Sequence, residues 1–260
     1  MRNTPSIRLR PGSALRTLAA LVASVLAPVP VLAFDHGQWT TILQRYVDDA
    51  GHVAYRDLAA RDRATLDDYL RRLAAATEPP EKVAAKAFWI NAYNAGVVAA
   101  VLEGYSAEGI FARRSLFKGY TFPVAGRPRT LDEIEHGIIR PRFQDPRTHF
   151  ALVCTSSSCP KLRRAAYEPA TLDAALDEAA RRFINDPTRN VIDPARGIVR
   201  LSAIFDWFGE DFVAAAGSAH AFVSRYVATD AERELLRRQD TLTFLDYDWT
   251  LNAQPGQRPH

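Results

Sequence analysis

The stretch that most restricts how this chain can fold runs from Glu81 to Leu102, EKVAAKAFWINAYNAGVVAAVL. It follows Glu78-Pro79-Pro80, a signal that ends one helix and starts the next. It is the most apolar helix of the sequence. At 100° per residue Val83, Ala87, Ile90, Asn94, Val97, Val98 and Val101 share one stripe, and Asn91 lies at its edge between Val98 and Leu102. Two amides on neighbouring turns therefore face the core. A buried amide without a partner costs roughly 1–3 kcal/mol. In the structural reading both amides bond to loop backbone, as buried polar groups generally do. In the functional reading one of them orients a catalytic group or polarises a substrate.

Around this helix the periodicities alternate between helical and extended. Helices are expected over Asp35–Val47, Asp62–Ala75, Thr171–Ile184, Ala219–Val227 and Asp230–Arg238. Leu131–Arg140, LDEIEHGIIR, is a further helix, capped by Thr130 with Glu133 in capping-box register and ended by Pro141. Its apolar arc is Leu131, Ile134, Ile138 and Ile139. Glu135 falls inside that arc and His136 at its flank. A carboxylate there calls for a partner. Tyr120–Thr130 reads as a hairpin around Ala125-Gly126, and a second hairpin flanks Pro194–Gly197. In the closing LTFLDYDWTLN, Leu245, Tyr247, Trp249 and Leu251 alternate with Asp246 and Asp248, a strand with one wet face. His149–Pro160, HFALVCTSSSCP, opens as a buried strand over Phe150–Val153, breaks into four hydroxyl residues and restarts as a helical turn at Pro160. The expected class is α+β: a single mostly helical domain over 34–252, packed around a small, largely antiparallel sheet made of the two hairpins, the cysteine strand and the closing strand. The tail over 253–260 is expected to be disordered.

The N-terminus reads differently. Residues 1–33 carry Arg2, Arg8, Arg10 and Arg16 and no acid, then an apolar run from Leu18 to Ala27, then Val31-Leu32-Ala33. This is the pattern of a secretory signal peptide cleaved after Ala33, with an apolar run too short to span a bilayer. The whole chain has a formal charge of +3; four arginines leave with the leader, so the remainder is −1. No basic footprint for nucleic acid remains, and no second apolar stretch suggests a membrane span. A periplasmic or secreted protein in an oxidising compartment is expected. No motif for a cofactor is read: there is no phosphate-cradling glycine loop, no G-x-S-x-G serine and no paired-histidine zinc helix.

The two cysteines of the chain, Cys154 and Cys159, admit three readings. An exported protein with two cysteines favours a disulfide, and the span is closable if the turn brings the α-carbons within about 7 Å. Alternatively Cys154 is a thiolate nucleophile, with His136 as base and Asn91 or Asn94 as the orienting amide. The third reading is a metal site of His149, Cys154 and Cys159, whose spacing does not match a structural zinc module.

FWINAYNA, LDEIEHGIIR, HFALVCTSSSCP, LSAIFDWFGEDF and DYDWTLN together resemble the family named domain of unknown function 547, over roughly Glu78–Asn252. The matching motif residues are Trp89, Asn91, Asn94, Glu135, Cys154 and Pro160. Some relatives lack the histidine after the glutamate, and some lack the second cysteine. The resemblance therefore implies that a shared role needs neither His136 nor a disulfide, and it directs attention to Asn91, Asn94, Glu135 and Cys154 as one polar pocket. The expected chemistry is thiol-dependent hydrolysis or acyl transfer on a peptide-like bond. The rival is a non-catalytic binding or scaffold domain stapled by Cys154–Cys159.

Overall fold

Helices α1 (Gly37–Tyr46), α2 (Tyr55–Arg61) and α3 (Arg63–Ala75) precede α4 (Lys82–Leu102) in a computed structural model that describes residues 1–2, 33–239 and 241–259. The expected leader, apart from its two ends, lies outside the described residues. Glu81 caps α4, its carboxylate accepting from Val83 N at 3.0 Å and Ala84 N at 2.7 Å. Those are two of the donors a helix start leaves without partners. From Ala84 to Val101 every residue of α4 except Lys86 is buried. The helix is thus enclosed on all sides rather than along one stripe, and Val83, expected on that stripe, is exposed. Lys86 reaches out of the core to Asp145 at 2.8 Å.

Helix α5 (Ile110–Arg114) runs into a π-helical turn, Ser115–Gly119, and then the hairpin β1 (Thr121–Val124) and β2 (Arg127–Thr130). Its turn is Ala125 at φ 50° and Gly126 at φ 75°, consecutive left-handed residues whose twist suits a two-residue hairpin. Gly96 of α4 lies against Phe122 of β1; a Cβ there would collide with the ring, so this close approach needs glycine.

The capping box at Thr130 forms, with Glu133 N donating to Thr130 Oγ1 at 3.1 Å and Thr130 N donating to the Glu133 carboxylate at 2.7 Å. The helix it starts is wound as a π-helix over Glu133–Ile139 and continues as α6 (Arg140–Phe143). Pro141 does not end it. It stands in the first turn of α6.

The cysteine segment departs most from expectation. Pro146–Phe150 is a 3₁₀ turn, Ala151–Cys154 belongs to no strand, and no helix starts at Pro160. The apolar run is held by burial rather than by sheet pairing. Phe150 packs against Phe183 of α7 (Leu172–Ile184), with ring centroids 4.9 Å apart. Ala151, Leu152 and Val153 join the core around α4 instead. The run thereby links the two buried clusters of the fold.

Beyond α7 come β3 (Val191–Asp193), β4 (Ile198–Ser202), helices α8 (Ile204–Trp207), α9 (Gly209–Ala216), α10 (Ala219–Val223) and α11 (Asp230–Arg238), and β5 (Thr243–Leu245). Strands β3 and β4 pair antiparallel and β4 and β5 parallel, while β1–β2 forms its own two-stranded sheet. The class is α+β as expected, with an antiparallel pair and a separate mixed sheet in place of one sheet. The cysteine segment enters neither.

After β5 the chain crosses the cysteine turn as a strap. Ser157 N donates to Thr250 O at 2.7 Å, Ser158 N to Asp248 O at 3.1 Å, and Asn252 N to Thr155 O at 2.8 Å. The tail after Asn252, expected to be disordered, is instead tied down. Gln254 N donates to Val53 O at 3.0 Å, Arg56 N donates to Gln257 O at 3.1 Å, and Arg258 pairs with Glu108. Polar composition suggested a free tail, but its donors and acceptors are met by α2, the loop before it and Glu108. Among the described residues no helix is long and apolar enough to cross a membrane.

Candidate functional site

Both buried amides of α4 are saturated by main chain. Asn91 Nδ2 donates to Tyr167 O at 2.8 Å and its Oδ1 accepts from Tyr167 N at 2.9 Å. Asn94 Nδ2 donates to Ala151 O at 2.9 Å and its Oδ1 accepts from Val153 N at 3.0 Å. Each side chain replaces the strand partner that a passing loop lacks. Asn94 therefore positions the residue before Cys154 without touching the sulfur, and neither amide lines a cavity with it.

A cavity of about 520 Å³ brings the other expected residues together: Glu135, His136 and Cys154 all line it. The π-helix supplies Glu135 and His136. Such helices occur mostly as short pieces, frequently at functional sites, and here Glu135 is half-exposed at the cavity instead of buried in the arc. Its partner is one the sequence did not suggest: Tyr93 of α4 donates from its hydroxyl at 3.2 Å. No cation lies within ion-pair distance of Glu135 among the described residues, whereas Asp132, on the same wall, pairs with Lys118 at 3.3 Å.

His136 is exposed, and its Nδ1 lies 2.9 Å from Arg140 Nη1. A guanidinium can only donate, so that nitrogen is the acceptor and is already used. Arg140 holds Asp211 through Nε at 2.8 Å and Nη2 at 3.1 Å, and Asp211 also takes His149 Nε2 at 2.7 Å. The hydrogen bond from His149, with the Arg140 guanidinium, holds the Asp211 carboxyl well below the usual carboxylate range. His149 is buried, stacked on Phe208 at 4.0 Å between ring centroids, and its Nδ1 has no partner among the described residues. Neither histidine makes a hydrogen bond to Cys154.

The cysteine side of the cavity is a disulfide. Cys154 and Cys159 are bonded, with α-carbons 5.9 Å apart. Both sulfurs are spent in that bond, so neither is a nucleophile or a metal ligand in this state. Cys154 Sγ lies 3.1 Å from Ser156 Oγ and 3.1 Å from Tyr247 Oη. Burial pushes the Tyr247 hydroxyl up to about 12, so it stays protonated at neutral pH. Arg189 clamps the turn between the cysteines, donating from Nε to Cys159 O and from Nη2 to Ser157 O, both at 2.9 Å.

The strap and the end of α8 complete the walls with aromatic rings. Tyr247 and Trp249 stand 4.6 Å apart, and Trp207 lies 4.7 Å from Tyr247. The Arg113 guanidinium sits over the Trp249 ring at 4.3 Å. The alternation in the closing segment and the DYDWTLN motif signalled Tyr247 and Trp249, though not their destination. Tyr93 stands inside FWINAYNA between two residues that did draw attention. Asp211 stands inside LSAIFDWFGEDF but was not singled out there, and nothing in the sequence marked Arg189.

Residues 79–184 match the model of a family described as Protein of unknown function, DUF547. That span holds Asn91, Asn94, Glu135 and both cysteines, and excludes the aromatic strap. No curated protein and no solved structure matches the chain.

Proposed function

We propose, for a chain whose residues 79–184 match the DUF547 family model, that it is an exported ligand-binding domain taking a peptide-like ligand in the disulfide-stapled cleft. One observation carries this reading: a cavity of about 520 Å³ joins aromatic walls to a carboxylate, Glu135, that has no cationic partner among the described residues. Ligand sites are concave and mostly apolar, with a few placed polar groups, and this volume lies in their usual range of about 300–1,000 Å³. Trp207, Phe208 and Trp249 offer faces to apolar or aromatic side chains. Glu135 offers an acceptor to an amine or amide N–H, and the exposed Arg114 at the rim offers a donor to a carboxylate. The Cys154–Cys159 bond fixes one wall. Thiol-dependent hydrolysis or acyl transfer would need Cys154 as a thiolate, which the bonded state does not hold, so binding is the function we carry forward.

The test is a panel of short peptides against the oxidised protein by thermal shift and calorimetry. Peptides with an aromatic residue and a free amine should raise the melting temperature, and Trp249→Ala should abolish the rise. If no peptide of the panel binds, the reading fails. Export is tested separately: expression with the leader should yield a periplasmic or secreted product beginning at Phe34. A product retaining residues 1–33 in the cytoplasm would refute it.

A further inference from the structure

The disulfide stands in surroundings that a purely structural staple does not need. Both cysteines line the cavity, but unequally: Cys159 is 2% exposed, while Cys154 is half-buried. Cys154 Sγ has two hydroxyls within 3.1 Å, from Ser156 and Tyr247. A disulfide sulfur is a weak acceptor, so these donors gain little from the oxidised state. A thiolate is a full anion and would take both hydrogen bonds. The backbone N–H of Cys154 likewise points at Cys159 Sγ, at 2.6 Å. Between the cysteines, Thr155 holds φ 66°, a left-handed conformation that a β-branched residue rarely adopts, and its buried hydroxyl has no partner among the described residues. The strap, Arg189 and Asn94 hold this turn in place around the bond.

We infer that the cleft disulfide is a redox centre that exchanges with thiol-bearing peptides bound in the cavity, with Cys154 as the sulfur that is attacked and that attacks. The inference rests on the cleft admitting a peptide-like ligand. A ligand thiolate attacks Cys154 Sγ; a sulfur–sulfur bond forms between ligand and Cys154, and the Cys154–Cys159 bond breaks. The electron pair leaves on Cys159 Sγ, beside the Cys154 N–H. A second ligand thiolate then attacks the ligand's own bonded sulfur, and Cys154 leaves as a thiolate held by Ser156 and Tyr247. The ligand dithiol is oxidised by two electrons and the protein disulfide is reduced to two thiols. The two protons lost by the ligand thiols are taken up by the two cysteines, and no other reactant is needed. In reverse, Cys154 thiolate attacks a ligand disulfide and Cys159 resolves the mixed species.

The full-length mature protein is titrated with dithiothreitol, quenched with iodoacetamide and weighed intact, while circular dichroism follows the fold. Two alkylated thiols in a protein with native ellipticity are expected. Reduction that occurs only together with unfolding would overturn the inference. In a second arm, Cys159→Ser and Cys154→Ser variants meet glutathione disulfide. Cys159→Ser should form the glutathione adduct at Cys154 at least about tenfold faster than Cys154→Ser forms it at Cys159, since reactivity follows thiolate character and access; equal rates would overturn it. Tyr247→Phe should slow alkylation of reduced Cys154 at pH 7 about fivefold, the worth of one net hydrogen bond. If these variants fail to fold, the wild-type titration alone decides. Cysteine-free peptides that bind the oxidised protein while exchange fails would sink the redox inference and leave the binding proposal standing. Exchange with glutathione without any peptide binding would sink the binding proposal and, with it, exchange with bound peptides.

Discussion

Two sets of polar groups lie inside this fold, and they differ in what they have left to offer. Asn91 and Asn94 each spend their amide on one short piece of backbone, donor to carbonyl and carbonyl to N–H. Glu135 has one neutral donor, Tyr93, and Cys154 has two hydroxyls arranged about a sulfur that hardly accepts. The first set is complete without a ligand. The second is complete only with one, or with a change of charge on sulfur. Burial alone did not separate them, because all of these residues lie in or beside the core. Spare hydrogen-bonding capacity facing a cavity did.

The sharpest way to break this comparison is to truncate a saturated amide. Asn94→Ala leaves Ala151 O and Val153 N without partners in a buried place, at roughly 1–3 kcal/mol each. A loss of about 4 kcal/mol is expected in urea unfolding, with a similar loss for Asn91→Ala through Tyr167. The cleft of whatever remains folded should still bind. A loss below about 1 kcal/mol would show that water replaces the amide, and the saturated set would no longer be structural.

His36 offers a second complete pair at slightly smaller cost. It is buried, and its Nδ1 lies 2.6 Å from the Tyr69 hydroxyl. Burial pushes it from 6.5 down to about 4. The unfolded chain therefore binds this proton more readily than the native one. Stability from this residue is fully present above pH 6.5 and is lost as pH falls toward 4, by on the order of 3 kcal/mol. Melting temperature against pH should show this slope, and His36→Gln should flatten it. An unchanged slope would place the titration elsewhere.

How much of this was legible in the sequence depends on the range of the interactions. The long apolar helix, the capping box at Thr130, both hairpins and α7 rest on patterns within a few residues, and all were readable, though the enclosure of that helix on all sides was not. The wall of the cavity was not, because it depends on pairings between distant segments. Tyr93 meets Glu135 across the fold, Tyr247 meets Cys154, and Arg189 meets the carbonyls of Ser157 and Cys159. The strand expected at Phe150–Val153 failed for a related reason. An apolar run signals burial, and here an asparagine amide on α4 supplied the main-chain partners that a sheet would have given. The π-winding of Glu133–Ile139 was invisible too, since the apolar spacing of Ile134, Ile138 and Ile139 fits an ordinary helix as well.

Removing the staple tests the cysteine half of the open set. A bridge that closes so short a loop restricts the unfolded chain only modestly, by about 2 kcal/mol on the chain-entropy estimate. Cys154→Ala with Cys159→Ala should lower stability by about that much, because the strap, Arg189 and Asn94 continue to hold the turn. Loss of folding altogether would mean that the bond is the principal support of the turn and that these contacts are secondary to it.

The smallest expected change in stability comes from a residue on which ligand binding depends. Glu135→Gln keeps an oxygen to accept from Tyr93 Oη and removes only a charge with no cation in ion-pair reach among the described residues. Unfolding free energy should move by less than about 0.5 kcal/mol, as for substitutions that leave packing and partners intact. Binding of an amine-bearing peptide should fall about tenfold or more, because a charge-assisted hydrogen bond is lost at a carboxylate that has no cation within ion-pair distance among the described residues. The two readouts pull apart only if Glu135 belongs to the open set. If stability dropped by several kcal/mol and binding held, Glu135 would join Asn91 and Asn94 as part of the scaffold, and the aromatic walls alone would define the ligand.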